Sequence, residues 1–452
     1  MRISWTKAAV ATGLAAAALL GAGVALGPHD DPGARSLPVT PESAAVSPTR
    51  ALQAYVARTT EHLRRVPGDW QAWAQLGLTR LELARITSDP AHHRAAETAL
   101  RRSLAVKPRG NAAALTGLGA LAAARHQFAT ALAYARRAVA IDNYSADAFG
   151  VLTDACVELG RYPEATDAAQ RMLDLRPDTG SYARASYVLE LHGDRGRAAE
   201  LMRQALAVAA GPGETTFALT HLGELAFNAG DLATASRHFE EGLARAPGQP
   251  ALLAGRASVW AARGDLPAAI SALREVTAIM PTVDHLTALS DALRAAGDLT
   301  GAARTDELVR AGARVTAGTS PSASADAAAG SSATADIDLV LFYADRGEAG
   351  TAVARARELY AARPSIAVET AYAWALHSAG RDAEALAHAD RGLRLGTSDA
   401  RAHYYRGMIR LAVGDRAGAR ADLTKAIGIN PHFSLRHASQ AHATLADLEG
   451  AA

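Results

Sequence analysis

The chain has a single cysteine, Cys156. It allows no internal disulfide, and no CxxC pair exists for zinc or thiol redox chemistry. Its place in the pattern described below is a packing position, so it reads as a buried structural thiol. Aromatic side chains are also scarce, at 5% of 452 residues, while alanine is abundant. That composition leaves little bulk for a wide core and favours slim helices packed closely together. Excess charge is missing too. Forty-seven Lys and Arg stand against 46 Asp and Glu, a net charge of +1, which gives no electrostatic ground for a nucleic-acid partner.

Signatures of catalysis are absent as well. The sequence holds no HExxH, no GxSxG, no P-loop and no GxGxxG between a strand and a helix. Its 15 histidines are scattered. His92 and His93 are adjacent, and neighbours on a helix do not share a face, so they form no metal pair. His432 and His437 have no third ligand within reach in sequence. Carboxylate pairs such as Glu240 and Glu241 fall on helix faces expected to be solvated. No stretch outside the repeats is long enough to supply a catalytic domain. The expectation is a chain that is not an enzyme, with no catalytic residue, cofactor or metal.

Residues 8–26 read AAVATGLAAAALLGAGVAL and carry no charge, with Arg2 and Lys7 ahead of them. This segment reads as a signal peptide or a transmembrane anchor, since about 20 apolar residues span a bilayer. Gly23–Val24–Ala25 offers small residues for cleavage after Ala25. No cysteine follows, which excludes a lipoprotein anchor. With the positive charges kept inside, the rest of the chain is expected to be exported. Residues 27–49 form a Pro/Ser-rich linker.

Repetition organises the remainder. Residues 159–177 read LGRYPEATDAAQRMLDLRP, and the same sketch returns at 229–247, 263–281 and 413–431. The opening glycines are Gly160, Gly193, Gly230, Gly264, Gly297, Gly347, Gly380 and Gly414. Their spacings are 33, 37, 34, 33, 50, 33 and 34. The two long gaps hold loop-like insertions rich in Gly, Pro, Ser or Thr. Before Gly160, the residues Phe149, Leu152, Ala155 and Cys156 fall on one helical face. The glycine ends that helix. Ala165, Ala169 and Met172 form the face of a second helix, which Pro177 stops. Each period is therefore an αα-hairpin that must stack on the next to bury both faces.

This pattern resembles the tetratricopeptide repeat family, here in a bacterial form with an N-terminal signal or anchor segment. Trp73, Leu76 and Gly77 match its first helix. Leu222, Gly223, Gly230, Ala235, Phe239 and Pro247 match one whole repeat, and Leu253, Trp260, Gly264, Ala269, Leu273 and Pro281 another. Ala183, Asn143 and Thr397 depart from it. The resemblance implies an all-α fold, an α-solenoid: a right-handed superhelix of about ten hairpins with terminal capping helices. A leading helix at 50–66 opens a block over 50–311. A low-complexity linker covers 312–335. Residues 336–449 form the C-terminal repeats, closed by a helix at 437–449.

Members of that family hold protein segments on the concave face formed by their first helices. The corresponding positions here are Asp147, Asp154 and Glu158, then Tyr187 and Glu190. Phe217, Thr220, Glu224, Phe227 and Asn228 follow, and then Asp284, Asp291 and Arg294. Farther on, Trp374, His377, Tyr404 and Met408, with Tyr405 adjacent, give a more aromatic patch of residue types favoured at interfaces. The set implies a protein or peptide partner of basic or aromatic character. The Lys, Asn and Arg set that clamps chaperone tails in this family is lacking. The expected function is a non-catalytic binding scaffold, exported or membrane-anchored. The alternative is a self-associating assembly protein of the cell envelope.

Overall fold

The computed structural model describes residues 48–87, 89, 91–317 and 333–450. The segment 8–26 and most of the 312–335 insertion lie outside these residues. Among the described residues there are 22 helices and no strand, and no helix is long and apolar enough to cross a membrane.

A leading helix, α1 (Pro48–Arg65), precedes ten hairpins. The first five are α2–α3 (Trp70–Thr87, Ala91–Val106), α4–α5 (Ala112–Ala124, Phe128–Ile141), α6–α7 (Ala146–Glu158, Tyr162–Leu175), α8–α9 (Thr179–His192, Arg195–Val208) and α10–α11 (Pro212–Asn228, Leu232–Arg245). Next come α12–α13 (Pro250–Ala262, Leu266–Ile279), α14–α15 (Val283–Ala295, Leu299–Ala317) and α16–α17 (Ala333–Asp345, Ala349–Ala362). The last two are α18–α19 (Ile366–Ser378, Asp382–Gly392) and α20–α21 (Ala400–Ala412, Arg416–Ile429), and α22 (Ala438–Gly450) closes the array. Each helix packs mainly on its neighbours in sequence. The architecture is the all-α hairpin solenoid that the sequence predicts.

Single residues set the turns. All eight opening glycines adopt left-handed backbone, with φ from 67° at Gly160 to 91° at Gly193. At Gly193 the Asp194 amide reaches back to the Leu189 carbonyl at 3.0 Å, closing a Schellman turn that a side chain would strain. Asp194 then caps the next helix by accepting the Arg197 amide at 3.1 Å. Behind each turn an alanine (Ala165, Ala198, Ala235, Ala269) is wholly buried where two helices meet. Small residues allow the closest approaches. A Cβ on Gly223 or on Gly255 would stand 2.4 Å from the Phe239 ring, so that ring fills the space between two glycines. Cys156 is buried, as its packing position implies, and burial pushes its thiol pKa up to about 12.

Stacking continues across the insertion. Helix α15 runs on to Ala317, and α16 begins at Ala333. Arg346, at the end of α16, donates to Asp291 at 2.8 Å and to Asp306 at 3.0 Å, both on the preceding hairpin. Arg310 adds a 2.7 Å bond to Glu348. Burial opposes the charge of Asp306, but hydrogen bonds from Arg346, Ser290 and Arg294 outweigh it and hold its carboxyl below the usual range.

A second set of contacts joins hairpins far apart in sequence. Arg363 donates to Glu158 at 3.0 Å, and the Ile366 amide to the Tyr162 hydroxyl at 2.7 Å. Thr397 donates to the Leu191 carbonyl at 3.2 Å, and Asn430 to the Phe227 carbonyl at 2.8 Å. The separations are 205, 204, 206 and 203 residues. The turns inside three consecutive hairpins, α6–α7, α8–α9 and α10–α11, meet the segments that follow α17, α19 and α21, at nearly constant offset. The superhelix therefore comes round onto itself, and successive coils touch edge to edge. His126 belongs to the same seam. It occupies the opening-glycine place of its hairpin with φ 56°, the only non-glycine with positive φ among the described residues. Its ring stacks on Phe128 and contacts Asp336 of α16 at 3.2 Å.

Candidate functional site

The expected concave residues separate into three groups. The first is tied up in ion pairs. Asp154 receives a two-pronged bond from Arg184 at 2.9 and 2.8 Å, and both residues are buried. Glu158 holds Arg363 across the seam. Asp147 accepts from Arg176, and Asp291 from Arg346. These carboxylates serve packing between helices and coils and do not form an open acidic surface.

The second group is the aromatic patch, and it is core. Tyr404 is 0% exposed and Trp374 is 7% exposed. Trp374 stacks on Tyr405 with ring centres 4.1 Å apart and donates to Asp345 at 2.7 Å. The Tyr404 hydroxyl donates to Gln440 of α22 at 2.9 Å. His437 packs edge-on against Trp374 and contacts Asp345 at 3.2 Å. His377 lies beside Trp374 and pairs with Asp382, and Met408 packs half-buried against the same cluster. The closing helix and the segment before it cover this patch, so its aromatic rings do not form a free docking surface.

The third group converges on a cavity. Ala183, Ser186, Tyr187 and Glu190 recur at the spacing of one face of α8. His221, Glu224, Leu225 and Asn228 do the same on α10, and Met202 of α9 completes the lining. Together they line a cleft whose empty space, the part open to solvent included, is about 350 Å³. Four expected residues (Tyr187, Glu190, Glu224 and Asn228) meet here. Sequence reasoning missed His221 and Ser186. Their offsets from Glu224 and Glu190 on the same helical faces were the available signal. Phe217 sits next to the pocket with its ring edge-on to His221, 4.4 Å between centres. Phe227 packs half-buried into a separate apolar cluster.

The electrostatics of this pocket are unusual. Glu190 is 4% exposed, and its carboxylate makes no hydrogen bond or ion pair with any described residue. Burial, reinforced by Glu224 and Asp399, pushes its pKa well above the usual carboxylate range against the opposing charge of Arg195. Burial likewise pushes the Tyr187 phenol well above its ordinary value, with Glu158 and Glu190 adding to it. Glu224 contacts His221 Nδ1 at 2.7 Å. Ser186 already donates to the Ala198 carbonyl at 2.8 Å. The lining is mostly apolar, and its ionisable groups are the two carboxyls Glu190 and Glu224, the imidazole of His221 and the phenol of Tyr187. Among the described residues, no three His, Cys, Asp or Glu side chains gather closely enough to hold a metal ion.

No family model and no curated protein matches the chain. Solved structures do. A tetratricopeptide repeat protein from Parabacteroides merdae is 17% identical, with TM-score 0.34, over 60% of this chain and 98% of that one. A thermophilic tetratricopeptide repeat protein from Thermus thermophilus is 23% identical, with TM-score 0.36, over 40% and 98%. Yeast Tom70 is 10% identical, with TM-score 0.37, over 89% and 96%. At these values the likeness supports no conclusion about what the chain binds or does.

Proposed function

We propose that this chain is a non-catalytic scaffold that holds a protein segment against the first helices of its solenoid. The observation that carries the proposal is the pocket between α8 and α10. Two successive first helices turn matching faces toward one cavity there, and four side chains expected at binding positions line it. Solenoids use such surfaces to bind extended partners. The two carboxyl groups in the pocket, Glu190 and Glu224, favour a basic partner. In this reading residues 8–26 deliver the repeats across a membrane, as a cleaved signal or a retained anchor.

The test is fluorescence anisotropy of the full chain against labelled peptides of equal length, in basic, acidic and aromatic series. Basic peptides should bind best, and Glu224→Lys should weaken them by about tenfold or more, the loss of one charge-assisted contact. Uniform failure of all three series would remove the scaffold reading. Concentration-dependent self-association in ultracentrifugation, with no peptide binding, would favour the envelope-assembly alternative.

A further inference from the structure

The pocket points to a more specific ligand than an acidic groove does. We propose that it receives the cationic head, ammonium or guanidinium, of one basic side chain on the bound segment. Glu190 and Glu224 would flank the charge, and Met202, Leu225 and Ala183 would take the aliphatic stem. The inference rests on the reading of the first helices as a segment-binding surface and deepens it.

Two observations support it. Glu190 is nine-tenths buried, lines the cavity and has no hydrogen-bond partner among the described residues. A carboxylate in that state is unfavourable unless something arrives to pair with it. The resident charges do not satisfy it. Arg195 lies near, but its guanidinium donates to the Asn228 carbonyl at 3.5 Å, and no bond joins it to Glu190. His221 is engaged with Glu224. Asp399, from the turn before α20, adds further negative charge near Glu190. The second is the lining. Tyr187 offers an aromatic ring suited to a cation, and Ser186 spends its proton on the Ala198 carbonyl, so little is left to attract an anion.

Binding should be linked to protons. In the empty pocket burial favours the neutral form of Glu190, and an entering cation favours the ionised form. The proton is released to solvent as the ion pair forms. Affinity therefore rises with pH through the titration of Glu190 and levels off above it. The other groups facing Glu190 are Glu224, His221, Arg195, Asp399 and Tyr187.

The experiment uses the full chain and three probes: the labelled peptide Ala-Gly-Arg-Gly-Ala, its Gln counterpart, and free n-butylguanidinium. The arginine peptide should bind about tenfold or more tighter than the glutamine one. Glu190→Gln and Glu224→Gln, on different helices, should each abolish that preference and leave the glutamine peptide unaffected. Glu190→Gln should not lower the melting temperature, because it removes an unpaired buried carboxyl. Calorimetry in two buffers should show proton release with the arginine peptide and none with the variant. Equal binding of the two peptides, or a preference that survives both variants, overturns the cation pocket. If peptides bind regardless of charge, the scaffold reading stands and this inference falls. Butylguanidinium binding as tightly as the arginine peptide would assign the pocket to a small free cation and remove the segment.

Discussion

Arg363→Ala should pull the coils of the solenoid apart. The Arg363 side chain is 1% exposed. It donates to Glu158 at 3.0 Å and to Asp336 at 3.4 Å, and it lies over the Phe128 ring with 5.8 Å to the centre. Truncation leaves Glu158 in the seam without its guanidinium. Removing one partner of a buried pair costs about 3–5 kcal/mol, because the remaining charge stays desolvated. Replacing both partners with apolar residues, Arg363→Met with Glu158→Leu, removes the stranded charge and should be close to neutral. The assay is urea unfolding followed by circular dichroism, with small-angle scattering under native conditions. The single variant should unfold at lower urea and show a larger radius of gyration, and the double variant should recover most of both. Equal losses in the two variants, or none in the single one, would refute the idea that this pair holds the coils together.

Two further outcomes follow from the packing and the charges. Gly223→Ala gains about 1 kcal/mol of helix propensity but meets the Phe239 ring, and overpacking of that kind costs about 1–3 kcal/mol. Its net effect should range from neutral to a loss of about 2 kcal/mol, while Gly312→Ala, with nothing within 4 Å, should stabilise. Urea midpoints that rise equally for both would show that Phe239 does not select the glycine. Asp422 accepts bonds from His403 at 3.0 Å, Arg406 at 2.7 Å and Arg410 at 2.9 Å. Burial opposes its charge, but these bonds prevail and hold its carboxyl below the ordinary 3.8. A depressed folded pKa contributes stability above the ordinary value and loses it as pH falls through the folded one. Asp422→Asn should therefore lower the melting temperature near neutral pH, and the gap to the native chain should close in strong acid. A gap of constant size across that range would exclude the carboxylate as its cause.

The local design was legible because single residues set it. One glycine closes each turn, one proline ends many second helices, and the apolar spacing gives each helix its face. The seam was not legible. Its offset of just over 200 residues accumulates from small rotations between hairpins, and no short pattern encodes it. The partial legibility of the site has the same origin. Repeat position put Tyr187, Glu190, Glu224 and Asn228 on first helices, and these four side chains line one cleft. It did not reveal that Arg184 and Arg363 would neutralise Asp154 and Glu158, because one lies on the next hairpin and the other a full coil away. Trp374 and Tyr404 were expected on a surface because nothing in the repeat indicated how far the closing segment reaches.

Touching coils change the mechanics of such an array. A repeat stack bound only to its nearest neighbours can fray from either end, one hairpin at a time. Here α6–α7 cannot loosen without also losing the Glu158–Arg363 and Tyr162–Ile366 contacts to the far end of the chain. The early and late hairpins brace one another like adjacent windings of a fully compressed spring. A pull along the superhelix axis should therefore open the seam before it unfolds a helix.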